Sequence, residues 1–404
     1  GRPPLHRRPG SQPMCERPPA TSINDIQFGR VFRFGSLLKA IGSSISPSRI
    51  GIAMFTLALL VGGGRVWDAI VFDGDATQIS SISKPFDNTM QWIGQSGGNL
   101  MNATLEFDPS AFLNASRDLL WGTPTRLWND GHTWFVVLFG VWTAAALAFG
   151  GGLLCRLEAV QIASDDPAPI NPAMAMSLSR WPAFFGALLV PFVLIAVLAI
   201  GLMIFGLVLF NLPVLNLLGG IGYGIALLVG LGVTLLLLGF AVACPLLLPA
   251  VASENCDGPD AMHRAVAYVM AKPLTWMLYL FTILLGLALG LLLVGGVGYL
   301  TMAITESLVG AWVYTPTFEI AEAAMIGSDA ADAPWSVEWA GGLVAFWTGL
   351  VQWAIAGWAI AYVMAASTRA YLLLRLTIDG QDEREIWWPG LIRGTLAPEP
   401  PAHD

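Results

Sequence analysis

The chain has 404 residues, of which 55% are hydrophobic and 12% charged, and its formal net charge is −8. Soluble domains carry about 25% charged residues, so a chain this apolar cannot cover its core with polar surface in water. Its apolar residues gather in runs of bilayer-crossing length. That excludes an ordinary soluble enzyme or nucleic-acid-binding protein and makes the lipid bilayer the first expected partner.

Residues 1–24 are rich in Pro and Arg and lack the apolar stretch of a signal peptide, so a disordered tail is expected there. Residues 25–48 mix Phe28, Val31, Phe32, Phe34, Leu37 and Leu38 with Arg30, Arg33 and Lys39. Such a segment suits the membrane surface, with aromatics dipping into lipid and cations facing headgroups, and it also suits a plain lead-in to a span. Residues 49–375 form the membrane domain.

The first span is placed at about 50–72 and the second at about 133–155, the second ending in Gly150-Gly151-Gly152. Asn171-Pro172 reads as an N-cap with proline at the first helical position. Apolar residues then run almost unbroken from 183 to 252, too long for one span. A turn marked by Asn211, Pro213, Asn216, Gly219 and Gly220 divides the run into spans at about 183–210 and 220–250.

Asp257-Gly-Pro-Asp260 opens a short amphipathic helix, with Asp260 and Arg264 as an i,i+4 pair and Met262, Val266, Val269 and Met270 on its apolar face. The last two spans fall at about 274–304 and 341–366. A second amphipathic piece lies around Phe318–Glu322, and residues 376–404 form a tail. The predicted fold class is all-α: a polytopic membrane helix bundle of about six transmembrane helices plus short cytoplasmic amphipathic helices.

Charge sets the orientation. Sixteen of the twenty Lys and Arg residues fall in the stretches 1–49, 156–181, 253–272 and from Arg369 onwards. The loops 73–132 and 305–340 hold three Lys or Arg residues and thirteen acids. Positive residues stay on the cytoplasmic side. Both termini are therefore expected in the cytoplasm of a bacterial inner membrane, with 73–132 and 305–340 outside.

Arg65 and Asp68 are the only ionisable residues placed inside a predicted span. At i,i+3 they share a helix face and can pair, which marks a functional candidate; equally, they suit the outer interface, where Arg snorkels and Trp67 anchors. Spans two to six carry no charge, which argues against a proton relay and leaves room for a neutral or lipid substrate. Gln352, Thr348 and Thr234 read as glue between helices. Gly220-Ile221-Gly222-Tyr223-Gly224 has the look of a filter or nucleotide loop, but close helix approach explains it better. The four histidines are scattered, at 6, 132, 263 and 403, and no cysteine pair has metal-binding spacing, so no cofactor or metal is expected. Trp335 and Trp339 suit an outer aromatic belt.

Several stretches occur together: FGRVFRF and SPSRIGIA before the first span, GGLLCRLEAVQIA at 151–163, DGPDAMHRAVAYVMAKPLTWMLY at 257–279 and YLLLRLTIDGQDEREIWWP at 371–389. The set resembles a family of uncharacterised integral membrane proteins common in planctomycete-type bacteria, over most of residues 25–390 outside the outer loops. Glu158 and Val266 depart from its pattern, which has a small or apolar residue and an aromatic one there. The resemblance implies an inner-membrane protein of about six spans and no particular activity, so it carries over no functional residues.

These stretches share one side of the membrane, where Arg156, Asp260, Arg264, Tyr268, Arg369, Arg375, Asp379 and Asp382 would cluster. They serve as ordinary interfacial caps and salt bridges or as a docking surface for a cytoplasmic or membrane protein. The absence of paired catalytic groups in the spans argues against an enzyme. The expected role is a non-enzymatic structural, accessory or assembly component of the envelope. The alternative is a transporter or permease subunit for a lipid-like or neutral solute.

Overall fold

A computed structural model of the chain describes residues 33–72, 84–106, 108–118, 122–211, 215–326 and 333–388. The expected disordered tail at 1–24, the start of the surface segment at 25–32 and the last residues, 389–404, lie outside them. The described residues form α-helices and one short 3-10 helix, with no strand among them. This is an all-α bundle.

Six helices are long and apolar enough to cross a membrane: α2 (Pro47–Phe72), α6 (Thr133–Ser164), α8 (Trp181–Phe210), α9 (Leu215–Glu254), α11 (Pro273–Gly310) and α13 (Trp335–Ile378). Each covers a predicted span and most run past it at one end or both. The extra turns carry the charges that hydropathy assigned to loops. Pro191 in α8 and Pro245 and Pro249 in α9 are taken into the helices.

The shorter helices differ more from expectation. Residues 33–44 form the 3-10 turn Arg33–Leu38 and α1 (Lys39–Ser44). Leu37 and Ala40 are fully buried against the bundle, so this part packs on protein rather than lying free on lipid. The stretch read as a long polar loop is largely helical: α3 (Pro85–Leu105), α4 (Pro109–Arg117) and α5 (Thr123–Asn129). Asp108 caps α4, accepting from the amides of Ser110 at 2.9 Å and Ala111 at 3.1 Å, with Pro109 opening the helix. The Ser110 hydroxyl first, and then these amides, hold the Asp108 carboxyl below its ordinary range.

Helix α7 (Ile170–Ser179) begins one residue before Asn171, with Pro169 in the capping position, so Asn171 is not the cap. In α10 (Gly258–Ala271) the buried face is Gly258, Ala261, Ala265, Tyr268 and Val269, while Met270 is exposed. Small residues take the inner face because the helix lies against backbone: a Cβ on Gly258 would sit 2.6 Å from the Ala187 nitrogen. Helix α12 (Thr317–Ile326) buries Ile320 and Ala321 beside Gly341 of α13.

The core lies at one end of the bundle. There the N-terminal ends of α2, α8 and α11 meet the C-terminal ends of α6, α9 and α13, as alternating spans require. Gly150 sits against Thr56 of α2, Gly151 would place a Cβ 2.8 Å from Leu248, and Gly152 one 2.9 Å from Phe184. The glycine triplet thus lets three neighbours press on α6, the close approach that small residues allow in membrane bundles. Trp358 packs against Gly290 and stacks on Tyr362, whose hydroxyl donates to the Ile283 carbonyl at 3.0 Å.

Away from that end, α8 and α9 pack chiefly on each other and leave long apolar faces exposed, including Met203, Leu207, Ile221 and Leu228. Gly220 and Gly224 have no neighbour close enough for a Cβ to touch. Gly222 between them faces Phe205 of α8, which a Cβ would meet at 3.5 Å, so the glycine-rich stretch is ordinary helix with one glycine turned to its neighbour. Thr234 bonds its own helix at Gly230, and Gln352 is exposed, so neither is interhelical glue.

Candidate functional site

The charged residues gather at the packed end in two buried centres. The first surrounds Glu158, which sits fully buried near the C-terminal end of α6. Arg49, in the first turn of α2, pairs with its Oε2 and donates to Gln161 Oε1 at 2.5 Å. Arg369 of α13 lies 2.5 Å from the other carboxylate oxygen through Nε. A buried carboxylate needs its charge compensated, and here two cations from different helices do so, although the Arg369 contact is a charge contact and leaves Glu158 Oε1 without a hydrogen bond. The carboxylate thus ties together the first, second and sixth spanning helices. Glu158 was no candidate in the sequence.

The second centre is Glu254, the last residue of α9. Its Oε1 accepts from the Tyr371 hydroxyl at 2.5 Å and lies 3.8 Å from Arg375 Nη1. Its Oε2 pairs with Arg264. Arg264 therefore bonds Glu254 and not Asp260, which is exposed and makes no ion pair among the described residues. Glu254 lies at the end of the preceding helix, where it faces Arg264 directly.

Residues 379–388 cross this end as a strap. Orphan carbonyls at the C-termini of helices need donors, and the strap and its neighbours supply them. Arg156 donates to the Ala252 carbonyl at 2.8 Å and to that of Trp387 at 2.8 Å, and its guanidinium stands 5.5 Å from the Trp388 ring. The Trp387 amide donates to the Ser253 carbonyl at 2.8 Å. Arg375 reaches the carbonyls of Asp382, at 3.1 Å, and Glu385. Lys272 donates to the Thr377 carbonyl at 2.9 Å, and Tyr268 bonds Asp379. Burial first, and then the Asp379 carboxylate, push the Tyr268 phenol above its ordinary pKa.

The structure thus places Arg156, Arg264, Tyr268, Arg369, Arg375, Asp379 and Asp382 at this one end. Arg156 and Arg375 are buried and engaged internally, as is most of Arg369, while Asp260 and Asp382 face outwards. Nearby, Cys256 is buried, and burial together with Glu254 raises its thiol pKa to about 12. Cys155 and Cys256 are buried free thiols and Cys244 is a partly buried one.

Arg65 and Asp68 do not form the charge pair that their spacing allows. Asp68 accepts from the amides of Phe86 at 3.0 Å and Asp87 at 3.2 Å, capping α3 from another helix. Phe86 is buried against Gly64, one turn earlier. Arg65 is exposed and makes no ion pair among the described residues. With two amides already on its carboxylate, Asp68 is satisfied without the guanidinium.

No protein-family model matches the chain, and no curated protein or solved structure is similar to it. Six helices able to cross a membrane are compatible with an integral, multi-pass membrane protein.

Proposed function

We propose that the chain is a multi-pass inner-membrane protein of the bacterial family its motifs resemble, with both termini in the cytoplasm, and that it serves as a non-enzymatic structural, accessory or assembly component of the envelope. The observation that carries this reading is the packed end. Glu158, Glu254 and the strap fill it with buried ion pairs and capped carbonyls, which suits a fixed platform better than a gate. Its outer rim, with Asp260, Met270 and Asp382 exposed, is the docking surface for a cytoplasmic or membrane-protein partner. Basic residues concentrated at this end support its cytoplasmic placement.

One observation favours a second reading. The α8–α9 pair exposes continuous apolar faces away from the packed end, which suits a subunit that moves a lipid-like or neutral solute along them. Co-purification in mild detergent separates the two readings. A stoichiometric partner lost on Asp260→Arg supports the accessory role. Recovery of the chain alone, with solute uptake after reconstitution into liposomes, overturns it. A cysteine introduced at position 100 and labelled from the cytoplasmic face overturns the orientation.

A further inference from the structure

Beside the Glu158 centre a cavity of about 400 Å³ opens to the surface, lined by Lys39, Arg369, Arg384, Asp165, Asp382 and Glu383 among others. This volume lies in the range of ligand sites. It sits where α1 leads into the first span, where α6 ends at Asp165 and where α13 emerges. The long apolar helices give way to charge at this level, which is the headgroup layer if they cross a membrane. Leu38 and Ile45, on either side of Lys39 in the chain, are exposed apolar residues.

Two cations lining the cavity have bonding capacity to spare. Arg369 uses Nε on Glu158, and its two Nη groups bond nothing among the described residues. Lys39 makes no ion pair or hydrogen bond among them. A guanidinium edge and an ammonium lining one cavity suit a phosphate oxygen cluster. The rest of the lining sets the sign of the whole ligand. Arg384 is committed to Asp165 at 2.5 Å, and Asp382 and Glu383 complete a lining with three cations and three carboxylates. A purely anionic headgroup would bring its charge towards those carboxylates. A ligand carrying a phosphate and a primary ammonium matches both halves.

We infer that this cavity binds a phosphoethanolamine-type zwitterionic headgroup, with the phosphate on Lys39 and Arg369 and the ammonium at Asp382. The inference goes beyond the accessory role and does not depend on a docked partner: lipid binding without partner capture, or the reverse, tells the two apart. A lipid and a free phosphoethanolamine ester present the same chemistry, and the membrane level of the cavity favours the lipid.

The test uses the full chain purified in mild detergent and native mass spectrometry with added dioleoylphosphatidylethanolamine, dioleoylphosphatidylcholine or dioleoylphosphatidylglycerol. The expected result is one retained phosphatidylethanolamine per chain, in preference to both other lipids, because a quaternary ammonium cannot donate hydrogen bonds. Lys39→Gln should weaken that binding by about tenfold, the scale of one lost charge-assisted contact. Asp382→Asn should shift the preference towards phosphatidylglycerol. Both residues are exposed, so these variants leave the buried ion pairs intact. Equal or better retention of phosphatidylglycerol by the wild type overturns the inference, as does unchanged binding in both Lys39→Gln and Asp382→Asn. Displacement of the lipid by equimolar glycerophosphoethanolamine overturns the lipid as the source.

Discussion

Arg369 Nε stands 2.5 Å from Glu158 Oε1, and with Arg49 on the other oxygen this joins three spanning helices through one buried carboxylate. The arrangement holds two cations around one anion. Glu158→Gln should therefore leave both guanidinium groups short of a counter-charge. Breaking a buried ion pair from one side costs about 3–5 kcal/mol. Thermal unfolding in detergent should show a large fall in melting temperature for Glu158→Gln. A smaller fall is expected for the triple change Arg49→Met, Glu158→Met, Arg369→Met, which removes every charge together. A triple variant less stable than Glu158→Gln would show that the ions hold the bundle rather than merely requiring one another.

Asp68 offers a second, local test. As the cap of α3 it satisfies two amides, and losing a cap costs about 1 kcal/mol. Asp68→Ala should loosen the start of α3, seen as faster hydrogen exchange over residues 86–90, with little change elsewhere. Arg65→Gln should leave exchange there unchanged. Equal effects of the two variants would restore the charge pair that i,i+3 spacing allowed.

The six spans were legible because a bilayer-length apolar run is a property of neighbouring residues, visible without any tertiary knowledge. The gathering of Arg156, Arg264, Tyr268 and Arg375 at one end was legible for a related reason: alternating spans must return every second boundary to the same side. What stayed hidden depends on contacts between distant segments. Glu158 stood out only as a departure from a family pattern, and its partner Arg49 lies 109 residues away. An isolated acid among Leu157, Ala159 and Val160, at the charge-rich end of an apolar helix, was the signal available. The α3 cap was equally hidden, since Asp68 belongs to a different helix from the amides it binds.

Cys256 gives a pH prediction. Burial and Glu254 hold its thiol neutral up to about pH 12, whereas an unfolded thiol ionises near 8.5. Between those values the unfolded chain sheds a proton that the folded chain keeps, so this group's contribution to stability falls as pH rises. At pH 7.5–9 maleimide should fail to label Cys256 in folded protein and should label it after denaturation. With Cys15, Cys155 and Cys244 changed to Ala, rapid labelling under native conditions would mean that the end of α9 opens far more often than its packing implies.

The glycines provide the sharpest contrast between seam and surface. Gly290 lies against the Trp358 indole, in contact too close to admit a Cβ, and Trp358 is itself fully buried. Gly290→Ala must push α11 from α13 or drive Trp358 off its stack on Tyr362, at about 1–3 kcal/mol for overpacking. Gly220 has open space around its Cα. There the only term is helix propensity, which favours Ala over Gly by up to about 1 kcal/mol. Gly290→Ala should lower the melting temperature and shift Trp fluorescence, while Gly220→Ala should hold or raise stability. If Gly220→Ala were the damaging change, the exposed face of α9 would have to meet another protein surface. The α8–α9 pair would then be an interface and not a lipid-facing arm.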